Sequence, residues 1–560
     1  MTRKSFIHPL LSFLLLFLPL FAAAQPAGVK KAAQSVFTLT TYNADGTILA
    51  TSHGVFTGAA GEGVAMWNPF KGAARAVVID ARGRQYDVDV MLGVSENYDL
   101  CRFRIKGTSA APALPLTASD AAASPVYIVG YDLKKPDIRS LTPERTEKFM
   151  TSYNYYVFND ADVSAAQLGC PVVNASGELL GIMQRPETGG QAFAADTRVT
   201  TTFKLTAFSI NDATLRATGI RTALPADEKD ATVMLLMAAG SVDSTKYEAY
   251  IDDYIRLFPT ATAGYNTRAN SLMAQRRLQQ ADDMLQLELK KAAEKDVAYS
   301  NYADIVYRAS VYRVDTTFTK WSLDKALELA READKVKPQP NYRHQQAQIL
   351  FAMGRYQDAL NLFTALQQTE LGKNGEVYYE AARCKTMLKA PKPEIMALLD
   401  SAVNVQQGQA RAPYVLARGQ QYDADGDYRK AFLDYMTYDS LVNNRGTADF
   451  YYTKYRCEMK LRQYQVALND IAHAIVLNRA EPVYYAEMAS LQLRVNRLSD
   501  AIATCDMAFE VPGADQLSDL YIIRGIARCE SKQTAEGLTD LRKAQEMGDA
   551  RAEKLIDKYK

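Results

Sequence analysis

"AAQLGCPVVNASGELLGI", residues 165–182, decides how the first half of this chain is read. Gly169 and Pro171 bend the chain. "PVV" is a short apolar run, "NASG" a turn, and "ELLGI" a second apolar run. Asn, Ser and Gly favour turns because they bond their own backbone or tolerate positive φ. Two short strands joined by such a turn form a hairpin.

The same grammar extends outward. "SVFTLTTY" is rich in β-branched and aromatic residues, "NADG" turns the chain, and "TILATSHGVFTG" resumes the strand. "ARAVVID" and "RQYDVDVMLGV" flank the turn "ARG". "YDLCRFRI" alternates polar and apolar residues, and "SPVYIVGY" adds another strand. Short strands and tight turns without long helices predict an antiparallel barrel or sandwich over residues 30–205.

Residues 1–24 follow a different rule. Arg3 and Lys4 precede the apolar "FIHPLLSFLLLFLPLF", and "AAAQ" supplies small residues for cleavage after Ala24. This is the pattern of a signal peptide. No cysteine follows it, so a lipid anchor is not indicated. No later stretch reaches the roughly 18 apolar residues that span a bilayer. The chain is therefore expected to be exported, and periplasmic or outer-membrane-associated in a Gram-negative bacterium.

Lys and Arg number 65 against 64 Asp and Glu, so no net field draws the chain to nucleic acid. Six cysteines in 560 residues are too few for a disulfide scaffold, and no CxxC pair occurs. Cys505 and Cys529 are a candidate disulfide across adjacent helices. Beyond the signal peptide the histidines are His53, His344 and His473. That scarcity argues against a metal site, and no cofactor is expected.

From about residue 226 the apolar period becomes helical. Small residues pair twelve apart: Ala269 with Ala281, Ala347 with Ala359, Gly419 with Ala431, Ala489 with Ala501, Gly525 with Gly537. Four residues after each second member stands a larger one: Leu285, Phe363, Tyr435, Cys505, Leu541. Two antiparallel helices approach closely only where side chains are small, and the larger residue fills the space beside the contact. The pattern resembles the tetratricopeptide repeat (TPR), a helix–turn–helix of about 34 residues. It departs at Tyr455 and in "KAPKP", where distorted units are expected. Residues 206–259 are read as a linker with the first helices, and 260–560 as TPR-like repeats. The resemblance implies a concave surface that binds a protein or peptide partner. The 33 tyrosines suit an interface, though any one of them is better read as inter-helix packing.

Residues 35–200 resemble the trypsin-like serine peptidases in their bacterial, HtrA-like form. The resemblance rests on motif order and spacing, and implies an all-β double barrel. "SHGVFTGAAGEGVAMWNPFKGA" aligns with the strand and turn that carry the family's His, which places Asn68 in that slot. "ENYDLCRFRI" places Asp99 in the Asp slot. The family's nucleophile loop runs Gly, polar, Ser, Gly, Gly, Pro, and "AQLGCP" places Leu168 in the Ser slot.

Such a site needs Ser to attack, His to move the proton and Asp to orient the His. Leu168 has no nucleophilic atom, and the Asn68 amide is no usable base. Losing either group costs about 10⁶ in rate in subtilisin. The oxyanion-hole Gly of the family becomes Ala166. Displaced candidates are Ser164, Ser176 and, best among them, Cys170 with His53. The plainer readings are a small buried thiol and a strand histidine. Asp87 and Asp89 share one strand face as solvated carboxylates, and "DADGD" at 423–427 lacks the remaining ligands of a calcium loop.

The expected function is an exported protein-binding scaffold with a non-catalytic trypsin-like domain. The alternatives are a serine- or cysteine-type endopeptidase using displaced residues, and a structural component of an envelope complex.

Overall fold

Alternation builds the first barrel. Along β1 (Val36–Tyr42) buried positions alternate with partly exposed ones. β2 (Ile48–Gly58) and β3 (Glu62–Met66) follow, then β4 (Arg75–Asp80), β5 (Gln85–Ser95) and β6 (Leu100–Ile105). The computed structural model describes residues 25–58, 60–118, 125–132, 135–149, 153–186 and 190–560. The expected signal peptide, residues 1–24, lies outside them. The chain divides into two compact units between Arg268 and Ala269.

In the first unit, the strand order β5-β4-β1-β2-β3-β6 closes because β5 also pairs β6. This ring is filled by Phe37, Phe56, Trp67, Phe70 and Phe103. Phe37 meets Phe56 edge-on at 4.8 Å between ring centres. The second sheet comprises β7 (Val126–Asp132), β8 (Lys135–Leu141), β9 (Arg145–Phe149), β10 (Tyr153–Val157), β11 (Pro171–Val173), β12 (Leu179–Gln184) and β13 (Phe193–Asp196). Its order is β8-β7-β11-β12-β13-β10-β9. Between the two sheets lies a shared core, with Val55 and Val64 on one side and Val129, Val173 and Ile182 on the other. Val29 and Ala32 of α1 (Ala27–Ala32) join it.

Residues beyond 205 also complete this unit. β14 (Arg221–Thr222) pairs parallel with β5. Leu215 and Ile220 enter the first barrel's core. Ile210 packs with α2 (Glu228–Ala238) and α3 (Ser244–Leu257). Asp89 is bonded rather than merely solvated: Arg221 bridges it at 2.9 Å and Asp253 of α3 at 2.5 Å.

The helices then run as hairpins: α4 (Thr262–Ala274) with α5 (Leu278–Lys291), α6 (Lys295–Val311) with α7 (Leu323–Val336), and α8 (Pro340–Ala352) with α9 (Tyr356–Leu366). They continue with α10 (Gly375–Met387) and α11 (Lys392–Val405), α12 (Ala412–Ala424) and α13 (Tyr428–Leu441), and α14 (Ala448–Lys460) and α15 (Tyr464–Leu477). The last are α16 (Pro482–Arg494) and α17 (Leu498–Phe509), α18 (Ser518–Glu530) and α19 (Thr534–Glu546), with α20 (Ala550–Tyr559) at the end.

The paired small residues meet as their spacing requires. A Cβ on Gly525 would lie 3.0 Å from Gly537 O, so α18 and α19 touch backbone to side-chain face there. Leu285, Phe363, Tyr435, Cys505 and Leu541 are all buried beside such contacts. Tyr455 does not distort its hairpin. Its ring is buried, and its hydroxyl reaches α16 to donate to Glu487 Oε2 at 2.9 Å. The "DADGD" acids belong to a turn whose Asp427 accepts from Lys430 N and caps α13. All six cysteines are free and buried, so Cys505 and Cys529 form no disulfide; each thiol fills a close helix contact, the Cys529 sulfur packing beside Gly537.

A second periodicity accompanies the first. A cation in the first helix bridges an Asp in its own second helix and an Asp in the preceding one. Arg418 holds Asp434 and Asp400, Lys454 holds Asp470 and Asp439, and Arg524 holds Asp540 and Asp506. The cation and its own Asp are sixteen residues apart each time.

Glu288 is a buried acid of another kind. Asn301 Nδ2 donates to its Oε1 at 2.8 Å, while Oε2 is buried without a hydrogen-bond partner. Desolvation pushes its carboxyl from 4.5 to about 8. The raised folded value means the unfolded chain ionises first as pH rises. Stability is therefore full below about 4.5 and declines toward 8. Glu288→Gln is expected to raise the melting temperature at pH 8, with the gain shrinking to nothing near pH 4.5. Thermal melts across that range check it.

Candidate functional site

The three aligned slots lie at the junction of the two sheets. β3 ends at Met66, and Asn68 opens a single 3-10 turn, Asn68–Phe70. Asp99 closes the turn between β5 and β6 at φ 46°, a left-handed conformation that Asp tolerates better than most residues. Its Oδ1 accepts from the Asn68 backbone N–H at 2.6 Å, and its carbonyl accepts from Trp67 N at 3.0 Å. Asp99 thus fixes the turn that carries residue 68. Gln184, buried at the end of β12, donates from Nε2 to Tyr98 O at 3.0 Å and Asp99 O at 3.2 Å. Burial first, then Tyr98 and the Asp99 charge, push the Tyr155 phenol up to about 12.

Leu168 follows a second 3-10 turn, Ala165–Gln167. Gln167 Oε1 locks this turn by accepting from Ser164 N at 3.0 Å and Arg139 Nη1 at 3.2 Å. Every backbone N–H from 167 to 170 donates inside the protein. Gln167 N bonds Ser164 O, Leu168 N bonds Ala165 O, Gly169 N bonds Met183 O and Cys170 N bonds Gln167 O, at 2.8 to 3.2 Å. The half-buried Leu168 side chain packs on the core of Val126, Ile128 and Val172. Gly169 adopts φ 86° and lies against Ser52 and His53 of β2.

His53 therefore does stand beside the loop. Burial lowers its pKa, against a hydrogen bond to the Leu168 backbone that favours protonation. Cys170 points elsewhere. Its sulfur belongs to the second-sheet core, facing Gly130 of β7. Desolvation first, then Asp137, push the thiol up to about 12, so it is protonated at neutral pH, and a thiol in that state is a poor nucleophile. Ser164 and Ser176 are exposed on turns.

The positions aligned from the sequence thus hold a carboxylate (Asp99), an amide (Asn68) and a leucine (Leu168), whereas acyl transfer needs an orienting acid, a base and a nucleophile. Donors for a developing oxyanion must be uncommitted and aimed at it. Here the Leu168 N–H is committed to Ala165 O. Sequence reasoning missed Gln184, whose signal is a polar residue ending the apolar run "LLGIMQ".

Residues 38–182 match the family model of the trypsin-like peptidase domain. No curated protein matches the chain. Among solved structures, the HtrA-type protease AlgW with a tripeptide is 22% identical, over 31% of this chain and 60% of that one, with a TM-score of 0.27. A serine endoprotease from Yersinia pestis is 20% identical, over 34% of this chain and 65% of that one, with a TM-score of 0.27. The chain thus spans less than two thirds of either protein. Among the described residues no helix is long and apolar enough to cross a membrane. Residues 38–182 are a trypsin-like peptidase domain, followed in the same chain by a helical region consistent with a TPR-like solenoid.

Proposed function

We propose that the trypsin-like domain has lost peptide-bond cleavage and that the chain is an exported scaffold that binds protein or peptide partners. The observation that carries this reading is the loop at Leu168. It offers no nucleophile, and the backbone donors of residues 167–170 are spent on the protein itself. Asn68 supplies no base. The helical repeats support the binding half of the reading, because stacked helix pairs present extended surfaces to partners. First helices of successive hairpins bond one another and so share a face, as Ser300 with Gln345 and Tyr455 with Glu487 do.

The test treats the folded, full-length protein with a fluorophosphonate and with iodoacetamide. Neither is expected to label it. After denaturation, iodoacetamide is expected to reach the six free thiols. Native labelling that disappears in Cys170→Ala or Ser164→Ala, together with cleavage of a casein substrate, overturns the reading. In-cell crosslinking of the full chain, with the linked peptides sequenced, is expected to place partners on the first helices of the repeats.

A further inference from the structure

Two helices of the second unit each carry a pair of donors one turn apart. His344 and Gln348 lie on α8, and Glu376 and Glu380 on α10. Side chains four apart share a helix face, and these two faces meet. His344 Nε2 lies 2.6 Å from Glu380 Oε2, and Gln348 Nε2 donates to Glu380 Oε1 at 2.9 Å. Donor atoms of His344, Glu376 and Glu380 all fall within 4.8 Å of one another. The His344 and Glu380 side chains are only 16% and 12% exposed, so two desolvated donors face one that is open to solvent. Phe363 meets the imidazole edge-on at 5.7 Å and fixes its plane.

We propose that His344, Glu376 and Glu380 form a zinc site with one open coordination position. Imidazole and carboxylate are ligands zinc accepts, at about 2.0–2.2 Å from the metal. Three protein ligands leave the fourth tetrahedral position for another group. Gln348 holds Glu380 from outside, the role that second partners play at metal sites. A cavity of about 130 Å³ adjoins Glu380 and is lined by Tyr307, Gln348, Phe351, Phe363 and Arg383. The Arg383 guanidinium lies 4.5 Å over the Phe351 ring on one wall of that cavity. Zinc entry displaces the proton that His344 Nε2 and Glu380 Oε2 share, and that proton leaves to solvent. The site is independent of whether the barrel cleaves peptides.

The test strips the full-length protein with a chelator, dialyses the chelator away and titrates in Zn²⁺ by calorimetry, with metal analysis of the dialysed complex. One zinc per chain is expected, with a rise in melting temperature. Glu376→Gln is the main variant, because Glu376 is the most exposed of the three donors and glutamine keeps its size. It is expected to weaken zinc binding at least tenfold while melting like the wild type in chelator. His344→Gln is expected to do the same. Failure of the wild type to retain zinc overturns the site. So does unchanged zinc affinity in the two variants, which places the metal elsewhere.

Discussion

Lys454→Met is expected to cost the helical unit about 3–5 kcal/mol, the loss typical of removing one partner from a buried ion pair. Lys454 is 5% exposed and holds two acids, Asp439 Oδ2 at 3.1 Å and Asp470 Oδ2 at 3.1 Å. Its burial tends to discharge it, but the two aspartates outweigh that and raise its pKa. Methionine fills nearly the same volume, so the loss is electrostatic. Two carboxylates stay buried without their cation. Glu458 shares this buried site: it is fully buried, and desolvation first, then its hydrogen bond to Asp470, push its carboxyl well up. Lys454→Arg is expected to be nearly neutral, since Arg418 and Arg524 serve the same position in other hairpins. Replacing Lys454, Asp439 and Asp470 together by apolar residues is expected to recover most of the loss. Denaturant unfolding followed by circular dichroism checks all three. A Lys454→Met protein as stable as wild type would sink the account.

That network also shows where the sequence was legible and where it was not. The twelve-residue pairing of small side chains was visible because a close helix contact excludes every larger residue. The sixteen-residue pairing of cation and Asp was equally present in the letters. It was unread because single charges on helices are usually solvated, and only packing shows that these are buried. Tyr455 breaks the small-residue rule without breaking the hairpin, since a tyrosine can send its hydroxyl past the contact to the next repeat.

In the barrel, strands with one buried face were legible from alternation. β8 and β9 were not, because β8 is exposed along nearly its whole length and contains Pro136, so no two-residue period survives. The Asn68, Asp99 and Leu168 positions could be aligned from flanking glycines and apolar runs. The commitment of the Leu168 N–H to Ala165 O had no signature in side chains, since it is a property of the backbone turn. Cys170 and His53 could be paired on paper because they are close in the fold. Their side chains leave in different directions, one into the second-sheet core and the other to the Leu168 backbone.

Gly169→Ala is expected to destabilise the first unit by about 2–5 kcal/mol, from two separable causes. The first is conformational. Gly169 sits at φ 86°, and a left-handed non-glycine residue costs about 1–2 kcal/mol. The second is steric. The added Cβ would press on Ser52 Oγ and lie 2.9 Å from His53 N and 3.1 Å from His53 O. Two of those three atoms are strand backbone, which cannot turn aside as a side chain can, and overpacking of this kind typically costs about 1–3 kcal/mol. Gly46 provides the control, because it also sits at φ 86° and a Cβ there meets nothing within 4 Å. Gly46→Ala should therefore show the conformational cost alone. The difference between the two variants measures how tightly the loop is seated on β2. Thermal unfolding of both, followed by near-ultraviolet circular dichroism, gives that difference directly. Equal losses would mean that the loop yields freely, and that the commitment of its backbone donors is too soft to support the proposed loss of cleavage. A much larger loss at Gly169 means the loop is pinned in a shape that presents no oxyanion donor at Leu168, so placing histidine at Asn68 and serine at Leu168 is not expected by itself to give peptide cleavage.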